Sequence, residues 1–293
     1  MDTCNDVTIR LLGPVTPVKD AVPIPIRGQR QRRFLASLAL RPGQFTSKEA
    51  IIEDSWDGEP PTTVAGQLQT SAWMIRTALV QAGLARDALG SHDHGYELRV
   101  SPRCIDLFVF REAVRVVRDL YARGEHRDAS ERLDAALALW KGPAFADVTS
   151  SRLRLKGETL EEERRAAVEL RALIDVGLGR YNDAIIRLSE LVERDPFRED
   201  LYVSLMRAYY AEGRQADAIQ VFHRAKDILR EQIGISPGER MTRVMQAILR
   251  QDENALRAGT AHEVAAVPAG AEPRTLPRYG SDTAGRRRCR PSA

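Results

Sequence analysis

Between Thr46 and Val100 the spacing of apolar positions changes twice. From Ser47, a residue that starts helices, Ala50, Ile51, Ile52 and Trp56 fall on one face at helical spacing. The loop Asp57–Pro61 stops that helix. After Thr62 or Thr63, either of which can cap a helix N-terminus, Val64, Leu68, Ala72, Ile75 and Leu79 line one face of a second helix. Gln67, Gln69, Thr70, Ser71, Trp73 and Arg76 lie elsewhere, offering donors and acceptors instead of a block of charge. The period then drops to two: Tyr96, Leu98 and Val100 alternate inward after a turn at Asp93, His94 and Gly95. Upstream, residues 7–26 hold short β-favouring pieces broken by Gly13, Pro14, Pro17, Pro23 and Pro25, which predicts a small edge-rich sheet. Arg30 to Leu40 reads as a helix with Phe34, Leu35, Leu38 and Ala39 inward, ended by Pro42-Gly43. Small sheet, helix, helix, loop, helix and hairpin together describe an α+β winged helix-turn-helix.

From Asp106 onward the pattern is helix after helix. Gly179-Arg180-Tyr181-Asn182-Asp183-Ala184-Ile185 recurs 34 residues later as Gly213-Arg214-Gln215-Ala216-Asp217-Ala218-Ile219, the tetratricopeptide period. In the second unit Tyr202, Leu205, Tyr209, Gly213, Ala218, Phe222 and Ala225 hold the aromatic, turn and small packing places. In the first, Ala172, Gly179, Ala184 and Pro196 match, with Asp175 where the second unit has Tyr209. A weaker copy starts at Gly124-Glu125-His126 and ends on Ala129. Such helix pairs bury their faces only by stacking, so the aromatics are read as packing, and the concave face of the array is a surface for another protein. After Gln251 the sequence loses periodicity. The chain is therefore expected to be mainly α: a winged helix-turn-helix over 1–106, an all-α tetratricopeptide-like domain over 107–251 and a disordered tail over 252–293.

Composition narrows the class. With 43% hydrophobic and 29% charged residues the chain is of the ordinary globular kind. No stretch approaches the roughly 20 apolar residues of a membrane span, and Met1–Gly13 lacks a secretion signal, so a cytoplasmic protein with no membrane partner is expected. Cys4, Cys104 and Cys289 are far apart and in no metal-ligand spacing; they are read as reduced, with neither a disulfide framework nor a zinc site. Net charge is +3 overall, and residues 1–107 carry 12 basic against 12 acidic side chains. Bulk attraction to a polyanion is thus excluded as the main binding force. Local order differs: Arg27, Arg30, Arg32 and Arg33 lie within seven residues, apart from Asp54, Asp57 and Glu59, which predicts a dipolar field.

Gly28 with Arg30-Gln31-Arg32, Trp56 before Pro60-Pro61, Leu68-Gln69, Ile75-Arg76, Ala78-Leu79, Gly95-Tyr96 and Leu98 form one ordered set of motifs. Ala138-Leu139-Trp140, Gly142-Pro143-Ala144, the two Gly-Arg turns and the segment from Gly234 to Asp252 form another. In these, over residues 7–251, the chain resembles the antibiotic regulatory proteins of actinomycetes in their short form, which has no receiver domain ahead and no nucleotide-binding segment behind. The resemblance implies a winged helix of response-regulator type joined to a bacterial transcriptional activation domain. It implies an activator of secondary-metabolite genes that binds promoter DNA as two or more copies on direct repeats near the −35 region and recruits RNA polymerase. Recognition helices of the family often carry an aromatic and several basic residues; here Ser71, Met74 and Thr77 take such places, Arg76 is the one basic residue, and His92 stands where the wing commonly has Arg. Gln69, Thr70, Trp73 and Arg76 are the candidates for the major groove, Arg76 reading guanine or holding phosphate. Arg30, Arg32 and, when protonated, His92 are the candidates for backbone contacts.

Two other classes are weighed. A protein-interaction scaffold with a winged helix that does not bind DNA is suggested by the scarcity of basic residues on the second helix. An enzyme is suggested by His92-Asp93-His94, but two imidazoles on one strand need further ligands that no spacing supplies, and the triplet serves as wing and turn. Glu161-Glu162-Glu163 before Arg164-Arg165 reads as a solvated helix face. No nucleophile with a base and no nucleotide loop is found, so no catalytic residue, metal or cofactor is expected.

Overall fold

The structure, a computed structural model, describes residues 7–258. Strands β1 (Val7–Arg10), β2 (Thr16–Lys19) and β3 (Val22–Pro23) form an antiparallel sheet in chain order, with Val7 opposite Lys19 and Ile9 opposite Pro17. Pro23 lies on the edge strand β3, where a missing N–H is tolerated, and Pro17 lies on the central strand β2 just outside its register with β3. Helix α1 (Gln29–Ala39) buries Phe34, Leu35, Leu38 and Ala39. Strand β4 (Phe45–Ser47) precedes α2 (Lys48–Ser55), whose cap is Ser47: its hydroxyl accepts from the Ala50 N–H at 3.2 Å. Helix α3 (Val64–Gln81) follows the loop, and β5 (Leu89–His92) and β6 (Gly95–Leu98) complete a second sheet in the order β4-β6-β5. The wing therefore has three strands. Gly95 sits where β4 crosses closest; a Cβ there would stand 2.2 Å from the Thr46 carbonyl oxygen, so only glycine lets the strands meet.

Among the described residues eight α-helices follow: α4 (Asp106–Ala122), α5 (His126–Leu137), α6 (Ser151–Gly177), α7 (Tyr181–Arg194), α8 (Glu199–Ala211), α9 (Gln215–Ile233), α10 (Glu239–Arg250) and α11 (Glu253–Ala258). After β6 there is no further strand among the described residues. The three repeat turns share one geometry. Gly124, Gly179 and Gly213 have φ of 78°, 72° and 79°. In each, the glycine N–H bonds the carbonyl three residues back and the next N–H the carbonyl five back: Arg180 to Asp175 at 2.8 Å, Arg214 to Tyr209 at 2.9 Å, Glu125 to Leu120 at 3.0 Å. This is the Schellman termination, and it makes the weak upstream copy a structural equal of the other two. The buried Ala129, Ala184 and Ala218 sit five residues after these glycines and let the paired helices approach.

The apolar core does not break at residue 106. One cluster of buried side chains runs from Val7 through Leu107, Phe110, Trp140, Phe145 and Leu153 to Ile174; a second runs from Ala172 to Leu256. Helix α6, 27 residues long, belongs to both. Backbone bonds cross the seam, from Lys141 N to Leu12 O at 2.7 Å and from Phe145 N to Leu11 O at 3.0 Å. The buried Asp106 carboxylate accepts from the Leu11 and Leu12 N–H groups at 2.8 and 3.0 Å and from its neighbour Leu107.

Three expectations change. Glu253–Ala258 is helical within the stretch expected to be disordered, its Leu256 being buried; the remainder of that tail lies outside the described residues. Cys104 is buried and disulfide-bonded, not a reduced bystander; Cys4 and Cys289 lie outside the described residues. Thr63 occupies the N-cap of α3 without capping it: at φ −89° and ψ 12° its backbone is not in the extended conformation that aims a cap hydroxyl at the helix N–H groups, and the hydroxyl instead takes the Gln67 side-chain amide at 2.9 Å.

Candidate DNA-binding surface

Helix α3 has two faces of different chemistry. The buried one is Leu68, Ser71, Ala72, Ile75, Ala78 and Leu79. Ser71, expected on the polar face, faces α1 instead, where the Gln31 amide reaches its Oγ at 3.3 Å and the Met74 sulfur at 3.5 Å. The opposite face exposes Gly66, Gln69, Thr70, Trp73 and Val80 at helical spacing, with no charged side chain among them. Trp73 is 63% exposed. Thr70 and Thr77 turn their hydroxyl protons to their own helix, bonding Gly66 O and Trp73 O at 3.0 Å each, so toward solvent they offer lone pairs and methyl groups.

The wing is tied to this helix from behind. Arg76 donates from Nε and Nη2 to the Leu89 carbonyl at 3.3 and 2.9 Å and from Nη2 to Ser91 Oγ at 2.9 Å. With Nη2 fully engaged, a forked grip on guanine is blocked in this arrangement; the N–H pair of Nη1 remains. At the tip, Lys48 bonds the Asp93 carbonyl through Nζ at 2.5 Å, and its own N–H meets His94 O at 2.9 Å, fixing the hairpin turn to the start of α2. His92 lies on the exposed side of β5, edge-on to Phe45 with ring centres 5.7 Å apart and with Nε2 3.3 Å from Glu97 Oε2. A hydrogen bond from Arg99 at 2.9 Å, aided by His92 and opposed by slight burial, holds the Glu97 carboxyl below its usual range.

The arginine cluster does not act as one patch. Arg30 is exposed and lies over the Trp56 ring, its guanidinium carbon 5.6 Å from the centroid. Arg32 pairs with Asp147 at 3.2 Å and bonds Ile26 O. Arg33 bonds Ser55 O and Thr149 Oγ1 at 2.6 Å each and stands 3.5 Å from Asp57. Of the sequence candidates, Gln69, Thr70 and Trp73 share one open face; Arg76 braces its flank, His92 stands on the wing, Arg30 is free to face a phosphate, and Arg32 is drawn to the helical domain. Sequence shows where a charge is, not which partner claims it.

Sequence reading missed the residues that hold α2 in place. Asp54 is buried, accepting from Ser37 Oγ at 2.7 Å and from Lys156 Nζ at 2.8 and 2.9 Å. Its position three residues after the core residue Ile51 was the available signal: a carboxylate at core spacing needs partners. Around it Arg152 pairs with Glu53, and the Ser151 N–H bonds Asp57 at 2.6 Å. No group of His, Cys, Asp or Glu able to hold a metal occurs among the described residues.

Residues 105–249 match the family model described as the bacterial transcriptional activator domain. The regulatory protein DnrI of Streptomyces peucetius is 30% identical over 258 residues, spanning 86% of this chain and 95% of DnrI. The chain belongs to the actinomycete antibiotic regulatory protein family. Another relative in that family, the regulatory protein AfsR of Streptomyces griseus, is 30% identical over 97% of this chain, which spans only 28% of AfsR. Among solved structures, EmbR of Mycobacterium tuberculosis in complex with a low-affinity phosphopeptide superposes with a TM-score of 0.83 at 28% identity, covering 89% of this chain and 69% of EmbR. Membership makes this a transcriptional regulator, and its fold is the mainly helical one read from the pattern, a winged helix-turn-helix leading into tetratricopeptide-like helices. No described helix is long and apolar enough to cross a membrane.

Proposed function

We propose that this antibiotic regulatory protein is a sequence-specific, DNA-binding activator of secondary-metabolite genes, a cytoplasmic protein without enzymatic activity. It binds promoter DNA as two or more copies on direct repeats near the −35 region and recruits RNA polymerase through the helical domain. The observation that carries the reading is the open face of α3: Gln69, Thr70 and Trp73 point to solvent at helical spacing beside a wing fixed by Arg76 and Lys48. A helix so presented enters a major groove, its polar groups meet base edges, and Arg30 and the wing supply phosphate contacts. The test is genome-wide capture of DNA fragments by the purified chain at moderate salt. Enrichment of repeats one helical turn apart supports the activator; absence of any enriched sequence refutes it.

A second reading, a protein-binding scaffold, is favoured by one observation: Arg32, Arg33 and Arg76 are engaged inside the molecule, which takes three basic side chains of the winged helix away from a phosphate backbone. Gel shifts at several salt concentrations separate the two. A DNA binder loses affinity steeply as salt rises, whereas a scaffold gives no shift at any salt.

A further inference from the structure

We propose that Trp73 is a specificity-determining residue that reads thymine, through the C5-methyl group and O4 of the base. The inference rests on the DNA-binding reading above and names what its open face recognises. Trp73 is the large apolar side chain of that face, 63% exposed, with Gln69 and Thr70 one turn before it and Thr77 one turn after. No ring or guanidinium stacks on it among the described residues, whereas Trp56 and Trp140 each lie under an arginine. Its helix is already anchored by Leu68, Ala72, Ile75 and Leu79 on the far side, so the indole adds nothing to the core.

The chemistry of the indole selects among the bases. It has a broad apolar face and one N–H donor, and it accepts no hydrogen bond. In the major groove guanine shows two acceptors and no methyl, cytosine a donor, and adenine a donor beside an acceptor. Thymine alone sets a methyl group beside an acceptor, matching an apolar ring beside a donor. The charged alternative is curtailed: Arg76, the basic residue of α3, directs Nε and Nη2 to β5, which removes the fork that reads guanine and leaves Nη1 alone. Gln69 beside it carries both a donor and an acceptor, the pair that meets adenine. Reading by this face therefore depends on uncharged contacts to A·T pairs.

The experiment uses the full chain and duplexes selected from a random pool. Each thymine of the selected site is replaced in turn by deoxyuridine, which removes only the methyl group. Wild-type affinity is expected to fall about fourfold at one position per half-site, the effect of losing one buried methyl. Trp73→Ala is expected to bind the thymine duplex at least fourfold more weakly and to treat thymine and deoxyuridine alike there; Trp73→Phe keeps the methyl discrimination. A thermal melt matching wild type confirms that the exposed substitution leaves the fold intact. Wild type indifferent to every deoxyuridine, or Trp73→Ala still sensitive to the same one, overturns the inference and leaves DNA binding standing. A pool that yields no bound sequence overturns both.

Discussion

A buried carboxylate must be matched, and Asp54 of α2 is matched from two elements, by Ser37 on α1 and Lys156 on α6. Lys156→Met leaves the carboxylate with the serine alone and is expected to lower unfolding free energy by about 3 kcal/mol in urea titration, the usual cost of orphaning a buried ion. Combining it with Asp54→Asn recovers most of that loss, because the amide carries no charge to desolvate. Asp106 is a contrasting case. Burial, working against the three N–H groups that hold it, raises its pKa from 3.8 to about 6. The folded chain therefore holds that proton more tightly than the unfolded one. The contribution of the group is most favourable below about pH 4 and is lost as pH rises through about 6, roughly 3 kcal/mol in all. Asp106→Asn is expected to flatten that segment of the stability-against-pH curve. For Arg76, the brace to β5 predicts that Arg76→Ala weakens cognate and scrambled DNA alike, as seen by comparing the two in gel shifts. At this scale the open face of α3 was legible, because helical spacing alone places Gln69, Thr70 and Trp73 together. The fates of Ser71, Arg32 and Arg76 were not, since each is decided by a partner 13 to 115 positions away, respectively Gln31, Asp147 and Leu89.

Elements punctuated by local chemistry were read well. The 34-residue recurrence fixed the repeat turns because a glycine with positive φ closes each helix, and that need is written in the sequence. Gly179→Ala and Gly213→Ala are each expected to cost about 1–2 kcal/mol, since alanine resists the left-handed conformation. Gly66→Ala has the opposite sign. That residue lies inside α3 with ordinary φ and open space at its Cβ, so the change should raise stability by about 1 kcal/mol; urea titration of the three variants checks both directions. Strand β4 went unread because Phe45, Thr46 and Ser47 are too few to show alternation, and their pairing with β6 comes from a segment some 50 residues away. Helix α11 went unread because composition outweighed a six-residue pattern.

Across the whole molecule, the change of pattern at Asp106 marks where strands cease, not where packing does. Apolar periodicity says that a face is buried without saying against what, so the sharing of one core by the winged helix and α4 to α6 was invisible in the sequence. A fragment of residues 7–106 lacks Phe110, Trp140, Phe145 and Leu153 and is expected to show no cooperative melt by circular dichroism, whereas residues 7–177 regain one. Membership of α6 in both cores also removes the free swivel that a tether would give. On a duplex, each bound copy then carries its helical array at a set azimuth, like a flag fixed to a turning mast. Lengthening the spacer between two sites by about five base pairs points the second flag away from the first, and about ten bring it back. Promoter output plotted against spacer length should accordingly oscillate with the pitch of DNA, while the affinity of each single site stays level.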